Sequence, residues 1–421
     1  MNTHEIRKEE NEVKKLLCLA MCLMLVLPCL TALGEAVKKN EITVPELSTV
    51  RRPIPDNEAM TFLKKMGVGW NLGNTFDATK GTWNANADEM TVESSWCGVE
   101  TTELVFDALK EAGFTCVRIP VSWHDHVSGP DYEISERWLN RVQEVVDWAY
   151  SRDMYVILNV HHDEDQFLPT SAHYEASAHY IECVWRQIAQ RFRDYDERLI
   201  LESMNEPRLM NSSYEWAFNP VALECKDAAD CLNRLNQLFV DTVRATGGQN
   251  ASRYLMVPAY DASPDNAVRD SFILPTDTAD NKIIVSVHAY TPYSFALQKD
   301  GKKDFNYRAA ADTRDIILFM NAVYDRYITQ GIPVVIGEYG ALMKKENASV
   351  NNLQARVDWT AFYVAAASAR NLPCLWWDNH AFNGGGELFG LLNRRNGQIV
   401  FPEIVEAIMA YAGWDNLPDM Q

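Results

Sequence analysis

Two glutamates in this 421-residue sequence stand where a carboxyl group could do chemistry: Glu206 in Ser-Met-Asn-Glu-Pro and Glu338 in Val-Ile-Gly-Glu-Tyr-Gly. Each ends a run of mostly apolar residues, so each acid enters a setting that water covers poorly. A lone acid there most simply closes a buried ion pair. Two acids facing one cleft are instead the equipment of glycosidic cleavage, one protonated to donate to the leaving oxygen and one ionised to attack the anomeric carbon. Similar runs end in Asn71 and Asn74, Arg118, His161 and His162, Asn205, Tyr260, His288 and Tyr290, and Trp376 and Trp377. Trp70, Trp83, Trp96, Trp123 and Tyr293 lie nearby, and flat aromatic faces can stack on sugar rings, although about half of such residues would serve core packing. His161, His162, His288 and Glu338 could in principle hold a metal. No HxH or HExxH spacing is present, and adjacent His161 and His162 would diverge on a strand, as would Trp376 and Trp377. Histidines bonded to sugar hydroxyls or to the attacking carboxylate fit better. Neither a metal nor a cofactor is expected.

The carboxylates and the other run-end residues belong to eight short runs of strand character: Met66–Asn74, Thr115–Ser122, Met154–His162, Leu199–Pro207, Arg253–Tyr260, Ile283–Pro292, Pro333–Gly340 and Pro373–His380. Helical periodicity predicts helices over Glu100–Ala112, Ser135–Arg152, His179–Tyr195, Leu232–Thr246, Thr313–Thr329, Val357–Arg370 and Pro402–Tyr411. Gly113, Gly247 and Gly331 fall just past helix ends, where a left-handed residue is wanted. Residues 261–282 carry only a weak helical signal. Eight alternating units without a flexible linker predict an α/β protein built as a single (β/α)8 TIM barrel, whose C-terminal mouth would gather the strand-end residues. A doubly wound open sheet would want a glycine-rich phosphate turn after its first strand, and no GxGxxG is present.

Composition sets the outer bounds. A chain 47% apolar and 23% charged buries a sizeable core. Its 39 basic against 58 acidic residues, net -19, argue against a nucleic-acid partner and for a neutral or cationic ligand. Lys14 and Lys15 precede the apolar run Leu16 to Leu30, too short for a membrane span, and Ala32-Leu33-Gly34 follows. Residues 1–36 therefore read as a signal peptide, 37–56 as a lead-in tether and 57–416 as the catalytic barrel, with secretion and no stable membrane insertion after cleavage. Loss of Cys18, Cys22 and Cys29 with the leader leaves Cys97, Cys116, Cys183, Cys225, Cys231 and Cys374. In an oxidising compartment Cys225 and Cys231 are expected to close a short exposed loop, while Cys116 and Cys374 read as buried thiols. No zinc-type Cys/His spacing appears.

The motifs Gly69-Trp70-Asn71-Leu72-Gly73-Asn74-Thr75, Val117-Arg118-Ile119-Pro120-Val121-Ser122-Trp123, Leu158-Asn159-Val160-His161-His162, Met204-Asn205-Glu206-Pro207-Arg208, Val287-His288-Ala289-Tyr290-Thr291-Pro292-Tyr293, Ile336-Gly337-Glu338-Tyr339-Gly340 and Trp376-Trp377-Asp378-Asn379 occur in this order. As a set they closely resemble the catalytic domain of glycoside hydrolase family 5, the endoglucanase type, and most of all its fourth subfamily. The resemblance runs from about Ala59 to Tyr411. It implies Glu206 as acid/base and Glu338 as nucleophile of a retaining double displacement. It further implies Arg118 as the residue holding the nucleophile ionised, and Asn205 as the one gripping the 2-hydroxyl. His161, His288 and Tyr290 match other cleft residues, and Trp377, or Trp376 if the last strand is shifted by one, the platform under the sugar. Two departures stand out: Trp96-Cys97-Gly98-Val99 in a mouth loop, and the acid in Tyr260-Asp261-Ala262.

The expectation is thus a secreted endo-β-1,4-glucanase, retaining and cofactor-free, with Glu206 and Glu338 catalytic. Asn71, Arg118, His161, His162, Asn205, His288, Tyr290 and Trp377 are expected to line the substrate site. The partner would be a β-glucan polysaccharide (cellulose, mixed-linkage glucan or xyloglucan), and a monomer is expected. The same chemistry on mannan or xylan, a non-catalytic glycan-binding barrel and a metal-dependent hydrolase are the rival readings.

Overall fold

The computed structural model describes residues 42–81, 87–345 and 352–418. The expected signal peptide and Trp83 lie outside the described residues. From Val44 onward the chain is one compact unit. Eight parallel strands close a barrel: β1 (Val68–Leu72), β2 (Cys116–Ile119), β3 (Tyr155–Asn159), β4 (Leu199–Glu202), β5 (Leu255–Pro258), β6 (Ile283–His288), β7 (Val334–Tyr339) and β8 (Cys374–Asp378). Each pairs with its neighbours in chain order, and β8 returns to β1. All are buried on both faces, which is why they read as apolar runs rather than alternating ones. No helix among the described residues is long and apolar enough to cross a membrane.

The outer ring comprises α2 (Glu103–Glu111), α3 (Glu136–Tyr150), α4 (Tyr174–Arg191), α5 (Leu223–Ala245), α6 (Ala310–Arg326), α7 (Asn352–Ser368) and α8 (Pro402–Tyr411). A helix not expected from periodicity, α1 (Glu58–Met66), precedes β1; the Asn57 side chain caps it by accepting the Met60 amide at 2.8 Å. Gly113, Gly247 and Gly331 do take positive φ past helix ends. Between β5 and β6, where the helical signal is weak, the regular helix is a single turn, Pro264–Ala267.

Two expectations are corrected. Residues 45–53 are no free tether: the Tyr411 hydroxyl donates to the Pro45 carbonyl and accepts the Leu47 amide, and Tyr324 donates to the Pro53 carbonyl. The aromatic hydroxyls at the ends of α6 and α8 supply anchors that a prolines-only reading overlooks. The Cys225–Cys231 disulfide is also absent, for both thiols are free and buried. The segment is the start of α5, nine residues earlier than Leu232. Six helical residues rise roughly 9 Å, beyond the ~7 Å Cα separation a disulfide tolerates.

One irregularity shapes the mouth. Between β6 and β7 the register steps from Val287↔Ile336 to His288↔Glu338, and between β7 and β8 from Ile336↔Cys374 to Tyr339↔Trp376. Strand β7 therefore carries an extra residue around Gly337, a bulge that re-aims Glu338 relative to a straight strand.

Candidate active site

At the base of the mouth a fully buried guanidinium organises the acids. Arg118 Nε donates to Glu202 Oε2 at 2.7 Å, Nη1 to Glu338 Oε1 at 2.7 Å and Asn71 Oδ1 at 3.1 Å, and Nη2 to Asn205 Oδ1 at 2.8 Å. Burial alone would lower the Arg118 pKa, but Glu202 and Glu338 overcome it and hold the group charged. Glu202 accepts two further bonds, from Ser286 Oγ at 2.6 Å and Asn159 Nδ2 at 3.1 Å. Glu202, Ser286 and Asn159 were missed in the sequence. An acid inside the apolar run Leu-Ile-Leu-Glu was the available signal, since a buried carboxylate must be paired.

Above this layer sit the paired carboxylates. Glu338 Oε2 accepts the Tyr290 hydroxyl at 2.8 Å and lies 3.8 Å from His288 Nδ1. Burial pushes the Glu338 carboxyl up, yet His288, Arg118 and the Tyr290 hydroxyl outweigh it and hold the group below its ordinary value. Glu206 Oε1 meets His288 Nδ1 at 2.7 Å. Nε2 of that ring lies on the Gly337 side, 3.1 Å from where a Cβ on that glycine would sit. Burial lowers the His288 pKa, but Glu338 and Glu206 raise it on balance. One carboxylate oxygen of Glu206 and one of Glu338 lie within 4.8 Å of each other. That closeness is in keeping with the carboxyl separation of about 5–5.5 Å in retaining glycosidases.

The other expected residues separate into two tiers. Asn71 is fully buried, its amide nitrogen bonded to the Gly337, Leu375 and Trp376 carbonyls and its oxygen to Arg118. With these bonds it braces Arg118 from below. His161 is 2% exposed; burial drives its pKa well down, and the Asn159 amide at 3.1 Å from Nδ1 leaves the proton of the neutral ring on Nε2. His162 turns away, its ring at 80° to that of His161, toward Trp96 and Glu164. Trp376 is buried, its indole donating to the Phe389 carbonyl at 3.0 Å. Trp377 lies parallel to His161 with ring centres 5.9 Å apart, in an apolar cluster with Leu342 and Phe389. A Cβ on Gly73 would come within 2.7 Å of the Trp377 ring, so only glycine lets the first loop pass it. Of the aromatics read as mouth residues, Trp70 and Trp123 are core, whereas Trp96 and Tyr293 are 42% and 62% exposed. Trp216, 60% exposed over the Arg208 guanidinium, was missed.

Three side-chain groups among the described residues have the reach to share a cation: Glu206, His288 and Glu338; Asp77, His161 and His162; and Asp131, His179 and Cys183. In the first the acids already bond to His288, Arg118 and Tyr290. In the second His161 Nδ1 faces a donor. In the third Arg186 lies 3.5 Å from the thiol.

Known proteins resemble this chain in sequence and fold. Residues 78–383 match the family model described as cellulase, glycosyl hydrolase family 5. The endoglucanase A of Clostridium longisporum is 37% identical over 352 residues, 83% of this chain, and the chain spans 65% of that relative's length. A family 5 lichenase structure from Caldicellulosiruptor sp. F32 is 49% identical, with a TM-score of 0.86 over 88% of this chain and all of that one. A GH5-4 broad specificity endoglucanase from Ruminococcus champanellensis, solved with bound cellotriose, is 44% identical, with a TM-score of 0.77 over 85% of this chain and all of that one. The model match covers most of the barrel and both glutamates, and the chain belongs to the cellulase family, glycosyl hydrolase family 5.

Proposed function

We propose that this chain is a retaining endo-β-1,4-glucanase acting on β-glucans, with Glu338 as nucleophile and Glu206 as acid/base. The observation that carries this is the closeness of the two carboxylates together with their unequal surroundings. Arg118 and Tyr290 keep Glu338 ionised, whereas Glu206, more open to solvent, bonds to His288. In the first step Glu338 attacks the anomeric carbon while Glu206 gives its proton to the departing glycosidic oxygen. The C–O bond to the leaving chain breaks and a glycosyl ester on Glu338 forms. In the second step Glu206, now a carboxylate, takes a proton from water, whose oxygen attacks the same carbon and breaks the ester. In this reading Asn205, whose oxygen is held by Arg118, binds the 2-hydroxyl, Trp377 and His161 border the sugar, and His162 borders it from the Trp96 side.

Mixed-linkage glucan is the preferred polymer in this reading, supported by the lichenase likeness; cellulose and xyloglucan follow, in keeping with the broad-specificity relative. Secretion is part of the proposal and rests on the Lys14-Lys15 and apolar-run pattern. Reducing-end release from barley β-glucan, carboxymethylcellulose, xyloglucan, glucomannan and xylan tests it. Cleavage of the first three, greatest on β-glucan, is expected. Turnover confined to mannan or xylan would refute the specificity, and binding without turnover the enzyme.

A further inference from the structure

The loop after β7 carries a buried ammonium that the chemistry above does not use. Lys344 is 5% exposed. Its Nζ donates to three backbone carbonyls, those of Ser294 at 3.1 Å, Phe295 at 2.5 Å and Lys302 at 2.7 Å. An ammonium has three donors, and all three are taken. Among the described residues no carboxylate pairs with it. The neighbouring charge is Lys303, and the Lys302 ammonium is held by Asp312. Burial first, and Lys303 second, push Lys344 down to about 8. A buried charge without a counter-ion is costly, and a methionine of similar length would fill the space with less desolvation. What the ammonium adds is direction: three N–H bonds that tie segment 294–302, after β6, to the loop after β7.

We propose that Lys344 is a positioning residue for the reaction centre, clamping the loop beyond Tyr290 to the loop beyond Glu338 and so fixing the floor around Trp377. The connection is contiguous. The Leu342 amide bonds to the Ala296 carbonyl at 2.9 Å and the Met343 amide to the Leu388 carbonyl at 2.9 Å. Leu342, Trp377 and Phe389 form one buried cluster, against which Tyr290 and Leu297 pack. The Lys344 amide bonds to Asn352 Oδ1 at 2.6 Å, and Asn352 Nδ2 to the Lys303 carbonyl at 2.9 Å, which carries the clamp to α7. The segment just after strand β6 has anchors of its own. The Tyr363 hydroxyl holds the Ala289 carbonyl at 2.8 Å and Trp359 Nε1 the Thr291 carbonyl at 3.0 Å. Loss of the ammonium thus frees the floor's backing and leaves the barrel standing.

The proposal rests on the assignment of Glu338 and Trp377 to the reaction centre. It is tested with Lys344→Met and Lys344→Ala on 4-nitrophenyl β-cellobioside, with melting temperature measured alongside. Displacing a floor by a fraction of an ångström is expected to lower kcat about tenfold, with KM changed less than about twofold because the lost contacts matter most in the transition state. In Lys344→Ala, n-propylammonium is expected to restore part of kcat, whereas propanol and tetramethylammonium, which lack the charged donors, are not. Unchanged kcat in folded Lys344→Met, a lowered melting temperature alone, or equal rescue by propanol would overturn it. Should Lys344→Ala not fold, Lys344→Met, which keeps the stem, decides the matter by its kcat. An inactive wild-type protein would instead count against the glucanase assignment itself.

Discussion

Four of the five N–H groups of Arg118 are fixed by Glu202, Glu338, Asn71 and Asn205, so this side chain sets both the charge and the placement of the nucleophile. Arg118→Met leaves two buried carboxylates without their cation and is expected to destabilise the fold by about 3–5 kcal/mol, read from urea unfolding; a loss near zero would mean the acids are compensated elsewhere. Tyr290→Phe removes one bond that favours the ionised form of Glu338. Since the folded-state pKa of Glu338 is depressed, its ionised form contributes stability above its ordinary value of 4.5 that is lost as pH falls through the lowered value. The variant should move the acid limb of kcat/KM toward higher pH, and an unmoved limb would show that the hydroxyl plays no part. At this scale Glu206 and Glu338 were legible because an acid that ends an apolar run is conspicuous. Glu202 was less so, sitting within its run rather than at the end, and the role of Asn71 was hidden because a buried strut and a substrate contact look alike in one dimension.

Among the elements, the strands were readable and their connections were not. In Val-Val-Ile-Gly-Glu-Tyr the glycine was the available signal of a bulge in strand β7 and went unread, yet the extra residue decides where Glu338 points. Helix α5 extends nine residues before its expected start because Cys225, Ala228, Ala229 and Cys231 are buried along one face, which a cysteine-loop reading concealed. The turn after β5 shows how an unusual acid is accommodated. Asp261 and Ala262 both have φ of 51°, and Asp261 Oδ1 accepts the Ser263 amide and Asn266 Nδ2. Burial raises the Asp261 carboxyl to about 7. A raised folded-state value means that its stabilising contribution is present below the unfolded pKa near 3.8 and is lost as pH rises through about 7. Asp261→Asn keeps the acceptor and tolerates positive φ. It should melt higher than wild type at pH 8 and about equally at pH 4; the reverse order would contradict the burial argument.

For the whole molecule, eight strand and helix alternations made the barrel legible, since that pattern leaves few architectures that bury every strand. The redox state was not legible, because a short Cys-x5-Cys spacing suits a loop as well as a helix. With the six cysteines from Cys97 to Cys374 free, reductant should leave the melting temperature unchanged. A drop of the size that follows removal of a native bond, about 2–5 kcal/mol, would reveal a disulfide. The central claim is that Glu338 and Glu206 act as a close pair through a covalent glycosyl ester. Proton NMR of the reducing sugar formed in the first minutes of cellopentaose hydrolysis tests it most directly, with Glu338→Gln run beside the wild type. The β-anomer should appear first and equilibrate later, with turnover in the variant lower by about 10³-fold or more, as loss of a nucleophile requires. Initial release of the α-anomer, or near-normal turnover by Glu338→Gln, would contradict the account.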